Sequence, residues 1–145
     1  MIGYQLAIQA AHRPTQMALS YGAQHLTYAQ LHENACRLAN ALYADGVRPG
    51  DRVAVLLHNC NAFLETLFAC ALSGAIFVPI NFRLVGPEIR YIVENCEARA
   101  LIEELDRRGG ALAAVEPLKR SLSTQWPAAR AGSMRCCTCW APSAA

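Results

Sequence analysis

The chain has 145 residues, a formal net charge of +2 and a hydrophobic content of 54%. This length and hydrophobicity suit one domain with a buried core and exclude a disordered chain. The net charge is too small to imply nucleic acid or an acidic membrane as a partner. Arginine supplies almost all of the positive charge, and Lys119 is the only lysine, so a catalytic lysine would have to be that residue.

The first part of the chain predicts a helix and a hairpin. Apolar residues at helical spacing predict a helix over residues 3–11 that stops before Pro14. The segment MALSYGAQHLTY predicts two short strands about a Tyr21–Gly22 turn, because glycine supplies the positive φ that such turns need.

A second helix is predicted from its capping signals. Thr27 and Gln30 have the spacing of a capping box at its start, and Gly46 and Pro49 stop it. Its apolar face recurs every three or four residues and comprises Leu31, Ala35, Leu38 and Leu42.

Three apolar runs then predict parallel strands. They are RVAVLL (52–57), IFVPI (76–80) and ARALI (98–102), and we expect the first two to be buried on both faces. Helices are expected between them, one over 62–73 capped by Asn61, and one that starts with Pro87 as its first helical residue and buries Ile89, Ile92, Val93 and Cys96. This order indicates an α/β fold, a small right-handed parallel sheet with flanking helices beside a short β-hairpin.

Residues 62–80 approach the length of a membrane span and contain a single charge, Glu65. Gly74 divides this stretch, however, into a part with helical spacing and a short β-branched part. A helix followed by a buried strand is therefore the better interpretation.

The pattern changes after the third strand. We expect residues 1–102 to be a partial N-terminal subdomain and residues 103–145 a divergent, poorly ordered tail, because the tail has too little apolar surface to offset its ordering entropy. At most one weak helix is expected there, in ALAAVEPLKRSL (111–122).

The cysteines and histidines form no evident site. Cys36, Cys60, Cys70 and Cys96 lie singly in apolar segments and read as core thiols, which with the absence of a signal peptide favours the reducing cytoplasm. Zinc binding by Cys136, Cys137 and Cys139 is disfavoured because no second ligand pair follows. No i, i+4 pair is found among the histidines, so each reads as a surface or capping residue: His12, His25, His32 and His58.

The sequence contains none of the common phosphate-binding loop patterns. Neither G-x-G-x-x-G nor the P-loop pattern occurs, G-x-S-x-G is absent, and Gly109-Gly110 has no strand-to-helix context. The segment 46–52 reads as a turn into a strand.

Two strand ends remain as candidate positions for a ligand. They are His58-Asn59 after the first parallel strand and Asn81-Phe82-Arg83 after the second, since ligands gather beyond the carboxyl ends of parallel strands. Arg83 could meet a phosphate there. Alternatively it orders its own loop or pairs with Glu88.

Several segments, taken together, resemble the N-terminal part of the adenylate-forming acyl-CoA synthetases. In order along the chain they are LTY-x-x-L, G-V-x-P-G-D-R-V-A, G-A-x-x-V-P-x-N-x-R-L and a helix that begins Pro-Glu. The resemblance covers residues 4–102, and variants that act on a fatty or aromatic acid look closest.

The resemblance implies a two-step ligase that uses ATP, magnesium and CoA. A carboxylate attacks the α-phosphate of ATP to give acyl-AMP and pyrophosphate, and the CoA thiol then displaces AMP. The family's phosphate loop, its Tyr-Gly-x-Thr-Glu type motif, its ribose-binding Asp and its C-terminal catalytic Lys have no match here, and Lys119 lacks the surrounding pattern. No catalytic, cofactor-binding or metal-binding residue is therefore assigned.

We accordingly expect a truncated or frame-shifted AMP-dependent ligase that is inactive alone. The alternative is a non-catalytic binding or partner module with the same fold, which could associate through exposed sheet edges. An unrelated small nucleotide-binding domain is a more remote interpretation.

Overall fold

A computed structural model describes residues 2–103 and 121–123 of the chain. In chain order, the helices and strands are α1 (Ile2–His12), β1 (Met17–Tyr21), β2 (Gln24–Thr27), α2 (Tyr28–Ala44), β3 (Arg52–Leu56), α3 (Asn61–Ser73), β4 (Ile76–Pro79), α4 (Gly86–Asn95), β5 (Ala100–Glu103) and β6 (Ser121–Ser123).

The strands form two sheets. β1 and β2 pair as an antiparallel hairpin, whose turn contains Gly22 at φ 57°. The other four strands are parallel and lie in the order β4-β3-β5-β6. Because α3 connects β3 to β4 and α4 connects β4 to β5, the α/β fold with a small parallel sheet and a hairpin is confirmed.

The two faces of β3 belong to different apolar clusters. Val53 and Val55 pack in a cluster with residues of α2 and α3, among them Leu42 and Cys70. Ala54 and Leu56 point to the opposite side and pack with residues of α4. β3 is therefore covered on both faces, which explains why its sequence shows no polar alternation.

The capping signals of α2 act as the sequence predicts. The Thr27 N–H donates to Oε1 of Gln30 at 2.9 Å, and the Gln30 N–H donates to Oγ1 of Thr27 at 3.3 Å. At the other end the N–H of Asp45 donates to the Ala41 carbonyl, and Gly46 follows at φ 89°. The apolar face predicted for this helix is buried, with Leu42 fully inaccessible.

Several local predictions are wrong. Asn61 is the first residue of α3 and not its cap, because Cys60 has the extended backbone of the N-cap position. Pro87 is the second residue of α4, after Gly86. Of the four residues predicted to be buried on α4, only Ile89 and Val93 are, because Ile92 and Cys96 lie at the borders of the buried stripe.

β4 departs further from expectation, since it is the edge strand of the sheet and not a doubly buried one. The Ile76 N–H donates to the carbonyl of Asp51, just before β3, and the Ile80 N–H donates to the Val55 carbonyl of β3, each at 2.8 Å. Alternate residues of a parallel strand face opposite neighbours, so Phe77 and Pro79 direct their backbone nitrogens away from β3. Pro79 thus lies where an N–H is not needed for the ladder, as its place at the end of the run indicates.

The sequence did not predict strand β6. Ser121 and Leu122 fall in the segment that predicts a weak helix, yet they pair in parallel with Leu101 and Ile102 of β5. The backbone hydrogen bonds that β5 offers at its edge override the weak helical pattern of that segment. Lys119, Gly109-Gly110 and the three cysteines 136, 137 and 139 lie outside the described residues, as does most of the expected tail.

Candidate functional site at the carboxyl ends of the strands

The two strand ends singled out in the sequence lie against each other. The rings of His58, after β3, and Phe82, after β4, have centroids 4.4 Å apart and are tilted by 42°. The parallel arrangement of β3 and β4 explains this contact, because it brings both carboxyl ends to one edge of the sheet.

The loop after β4 is ordered by its own side chains. Oδ1 of Asn81 accepts a hydrogen bond from the Arg83 N–H at 3.0 Å, and the Asn81 carbonyl accepts one from the Leu84 N–H at 3.1 Å. This is the local turn that asparagine commonly makes with the backbone two residues on. The turn presents Phe82 to His58 and leaves the Arg83 side chain exposed.

Arg83 lies over Phe82 and not in an ion pair with Glu88. Its guanidinium carbon is 5.7 Å from the centroid of the Phe82 ring, within the range of a cation–π contact. Oε2 of Glu88 instead accepts the Val85 N–H at 3.0 Å, next to the start of α4. Arg83 is therefore a solvent-facing cation at the strand-end edge.

Asn61, at the start of α3, connects this edge to the hairpin. It is 8% exposed, and its Nδ2 donates to Oε1 of Gln24 at 3.2 Å. Its Oδ1 is buried and has no hydrogen-bond partner in the described part of the chain. Asn61 thus fixes the hairpin against α3 and does not cap the helix.

Glu103 is a residue of this edge that sequence reasoning missed. It ends β5, pairs in register with Leu56 at the end of β3, and is completely buried. The third strand was predicted to end at Ile102, one residue earlier. A carboxylate directly after an apolar run was the available signal, the same kind of signal that identified His58 and Asn81.

The remaining histidines lie on α1, β2 and α2. His12 and His25 are exposed, and Nδ1 of His25 lies 2.9 Å from Oγ of Ser20 across the hairpin. His32 is half-buried, and this burial lowers its pKa. Its Nε2 lies 3.6 Å from Sγ of Cys36, so this histidine makes an i, i+4 pair with a cysteine and not with another histidine.

Cys36, Cys60, Cys70 and Cys96, the cysteines of the described residues, form no disulfide with one another. Burial raises the pKa of the Cys70 thiol from 9.0 to about 12, as expected for a thiol that packs as a small hydrophobe. Within residues 2–103 and 121–123, no three His, Cys, Asp or Glu side chains group in a way that could hold a metal ion.

The stretch considered as a membrane span is divided as predicted. Gly74 ends α3 at φ 73°, and β4 begins two residues later. Among the described helices, none is long and apolar enough to cross a membrane. The segment 46–52 is a turn into β3, in which Oδ2 of Asp51 accepts the Arg48 N–H at 2.8 Å.

The four-stranded parallel sheet with its connecting helices defines an α/β fold, and comparison with known proteins identifies the family. The family described as AMP-binding enzyme matches residues 6–133. The chain belongs to this family of adenylate-forming enzymes.

Similar proteins of known function are CoA and acyl-carrier-protein ligases. Feruloyl-CoA synthase of an Amycolatopsis species is 53% identical over 89 residues, which are 61% of this chain and 18% of the synthase. A fatty acid–[acyl-carrier-protein] ligase of Streptomyces coeruleorubidus is 43% identical over 98 residues, 68% of this chain and 19% of the ligase.

Solved structures show the same fold. A putative long-chain-fatty-acid CoA ligase from Rhodopseudomonas palustris superposes with a TM-score of 0.78 and 32% identity, over 84% of this chain and 32% of that one. The N-terminal domain of FACL13 from Mycobacterium tuberculosis gives 0.79 and 29% over 85% of this chain and 33% of that one. This chain therefore spans only a minor part of the relatives it matches.

Proposed function

We propose that this chain is the N-terminal structural part of an acid–thiol ligase. The reaction would be the ATP-dependent conversion of a carboxylic acid to its acyl-CoA through an acyl-AMP intermediate. The observation that carries the proposal is the family match over residues 6–133, together with ordered motifs that fall on the strand ends and turns of the fold. We also propose that the partial subdomain ends at residue 102 and that the divergent tail begins at residue 103.

The chain's own contribution would be architectural. β3, β4 and the loops after them would form one wall of the activating domain, with the His58 ring in tilted contact with Phe82 and Arg83 facing solvent. Arg83 would contact a phosphate of ATP or CoA. The described residues provide no cluster fit for magnesium, so we assign the metal to none of them.

We further propose that the chain has no ligase activity alone. Its sequence holds no Gly/Ser/Thr-rich phosphate loop, and its only lysine, Lys119, lacks the family's surrounding pattern. Adenylation needs charge stabilisation on the phosphates and in-line geometry, and those groups are not supplied by this sequence. Incubation with ATP, Mg²⁺, CoA and a panel of acids should release no pyrophosphate above background. Measurable release would contradict this part of the proposal.

The acid is proposed to be aromatic or fatty. Similar proteins are named for ferulate and for fatty acids. The panel should therefore contain ferulate, benzoate, indoleacetate and fatty acids of several lengths. The cytoplasm, where ATP and CoA are available and thiols stay reduced, is the proposed location.

A chimera tests the ligase assignment directly. The 89 residues of feruloyl-CoA synthase that align with this chain would be replaced by the corresponding residues of this chain. We expect the chimera to form feruloyl-CoA, while a synthase with the same residues deleted stays inactive. A chimera that is soluble and folded but forms no acyl-AMP from any acid would contradict the assignment.

The non-catalytic module is the second candidate, and the exposed Arg83 is the observation that favours it. Binding of ATP or CoA to the chain by itself, without turnover and without restored activity in the chimera, would favour the module.

A further inference from the structure

His32 and Cys36 lie one helical turn apart on α2, on the same side of the helix, and contact each other. Nε2 of His32 lies 3.6 Å from Sγ of Cys36. His32 is half-buried and Cys36 is 8% exposed, so the pair lies at the border of the buried face of α2. An imidazole and a thiol are both strong ligands for transition metals. They meet here at a place that solvent partly reaches.

The surroundings of Cys36 differ from those of Cys70. Cys70 packs in an apolar cluster with Val53 and Val55, whereas Sγ of Cys36 contacts an imidazole nitrogen. Burial lowers the pKa of His32, so its ring is neutral at neutral pH. In the tautomer with the proton on Nδ1, the lone pair of Nε2 can accept the thiol proton or bind a metal ion.

The distance between the two ligand atoms fits a tetrahedral metal ion. Zinc binds cysteine sulfur at about 2.3 Å and histidine nitrogen at about 2.0–2.1 Å, so a tetrahedral zinc holds the two atoms roughly 3.5 Å apart. The observed separation of Nε2 and Sγ is 3.6 Å. The spacing i, i+4 is also that of the two histidines of helical H-E-x-x-H zinc sites. The pair is therefore already arranged as two ligands of one ion.

We propose that His32 and Cys36 bind a thiophilic divalent cation, Zn²⁺, whose remaining positions are filled by water. The ion takes the place of the thiol proton: a Zn–S bond forms, the S–H bond breaks and the proton leaves to solvent. Within residues 2–103 and 121–123 no group of three His, Cys, Asp or Glu side chains could hold a metal, so the protein supplies two ligands. The carboxylate of Glu33, the next residue, is paired with Arg37 at 2.6 Å.

Binding at this site stabilises the fold. α2 contacts α1, α3 and both strands of the hairpin, and the ion would join two successive turns of this central helix. A ligand that binds the folded chain more tightly than the unfolded one raises the ratio of folded to unfolded protein by mass action. The site is separate from the strand ends that carry His58 and Arg83, and it does not depend on the ligase assignment.

The test uses metal titration of the full chain without a histidine tag. The three cysteines at 136, 137 and 139 are changed to serine, because their thiols would compete for the ion. Co²⁺ serves as a visible substitute for Zn²⁺, since a thiolate bound to Co²⁺ gives a charge-transfer absorption. The affinity for Zn²⁺ is measured by competition with a chromogenic chelator.

His32→Gln and Cys36→Ser remove one ligand each, and Cys60→Ser removes a partly exposed thiol elsewhere as the control. We expect one equivalent of Co²⁺ to give the thiolate absorption and Zn²⁺ to abolish it. Each ligand variant should bind Zn²⁺ at least about tenfold more weakly, since even the loss of an outer-shell partner costs about 10–100-fold. Cys60→Ser should bind as the parent does. Absence of the thiolate absorption, parental affinity in either ligand variant, or equal weakening in Cys60→Ser would overturn the proposal.

X-ray absorption of the Zn²⁺-loaded parent decides the question if a ligand variant fails to fold. One sulfur at about 2.3 Å with nitrogen or oxygen neighbours at about 2.0–2.1 Å would support the site. A zinc ion with no sulfur neighbour, or with two, would overturn it.

Discussion

Arg52 and Glu97 join the beginning of the central strand to the end of α4. Nη2 of Arg52 lies 2.7 Å from Oε2 of Glu97, and its Nε donates to the Cys96 carbonyl at 2.7 Å. Glu97 is the non-glycine residue with positive φ among the described residues, at 50°. The contact therefore combines an exposed ion pair, a carbonyl at a helix end and a left-handed backbone.

These three parts can be separated by substitution. Arg52→Ala should lower the free energy of unfolding by about 1–2 kcal/mol, since it leaves a helix-end carbonyl without its charged donor. Glu97→Gln should cost less than about 1 kcal/mol, because the Glu97 side chain is 81% exposed. Glu97→Gly should be neutral or stabilising, because glycine adopts positive φ without strain. Urea unfolding measures all three, and an equal loss in Arg52→Ala and Glu97→Gln would mean that the ion pair, not the carbonyl, is what matters.

Gly3 permits the close packing of α1 on α3. A Cβ at this position would lie 3.1 Å from the Ala71 carbonyl carbon and 3.1 Å from the Leu72 nitrogen. Both are backbone atoms, so Gly3→Ala should destabilise the fold by about 1–3 kcal/mol despite the better helix propensity of alanine. Gln5→Ala on the exposed side of α1 is the control and should change the unfolding midpoint little. A Gly3→Ala variant as stable as the wild type would show that α1 can shift at no cost.

The Cys70 thiol should make stability fall at alkaline pH. Its pKa is raised to about 12 in the fold, whereas an exposed thiol titrates near 9.0. Above pH 9 the unfolded chain loses this proton and the folded chain does not, so the contribution is complete below pH 9 and is lost as pH rises toward 12. The slope is at most about 1.4 kcal/mol per pH unit from this group.

Cys70→Ala removes that slope and serves as the comparison. Denaturant unfolding from pH 8 to 11 should show a shallower decline in Cys70→Ala than in the wild type, although alanine lowers stability at every pH by leaving a small cavity. Parallel curves for the two proteins would mean that Cys70 ionises in the folded state.

The capping box of α2 should be worth a measurable part of the stability. Thr27→Ala removes the Oγ1 that accepts the Gln30 N–H at 3.3 Å, and it should cost about 1 kcal/mol. Thr15→Ala, at an exposed position before the hairpin, is the matched control. If both variants unfold at the same urea concentration, the box contributes nothing beyond helix propensity.

Arg83 should matter for ligands and not for folding. Arg83→Gln in the feruloyl-CoA synthase chimera should weaken the binding of ATP or CoA about tenfold, the effect of losing one charged hydrogen bond, with an unchanged unfolding curve. Arg13→Gln, also exposed, is the control. Isothermal titration of each variant with ATP and with CoA measures the two affinities. If Arg83→Gln leaves the affinity for both ligands unchanged, Arg83 is not part of the candidate site.

The sequence predicts the core of this fold well because its signals are local. The box of Thr27 and Gln30, the stop at Gly46 and the apolar run of β3 each act within a few residues, and each lies where it was expected. The proximity of the strand ends that carry His58 and Phe82 could also be predicted from the sequence, since parallel strands bring their carboxyl ends together.

The larger errors concern position in the sheet, which no local pattern encodes. IFVPI and RVAVLL are equally apolar, yet only the second is central, because strand order places β4 at the edge. Ser121–Ser123 pairs with β5 although its sequence has no strand signal, since the partner's free backbone supplies the interaction. Glu103 was missed for a related reason: its burial follows from the register with Leu56, which links residues far apart in the chain.

Pro79 has a consequence for how the open edge of this small sheet behaves in solution. A nascent or isolated chain with an open parallel edge is a template for strand addition and fibrous aggregation. Proline on the outer side of β4 acts as a gatekeeper against that route, at no cost to the ladder with β3. The proline of the V-P-x-N motif would then protect solubility during synthesis, in addition to directing the chain toward the loop that holds Phe82 and Arg83.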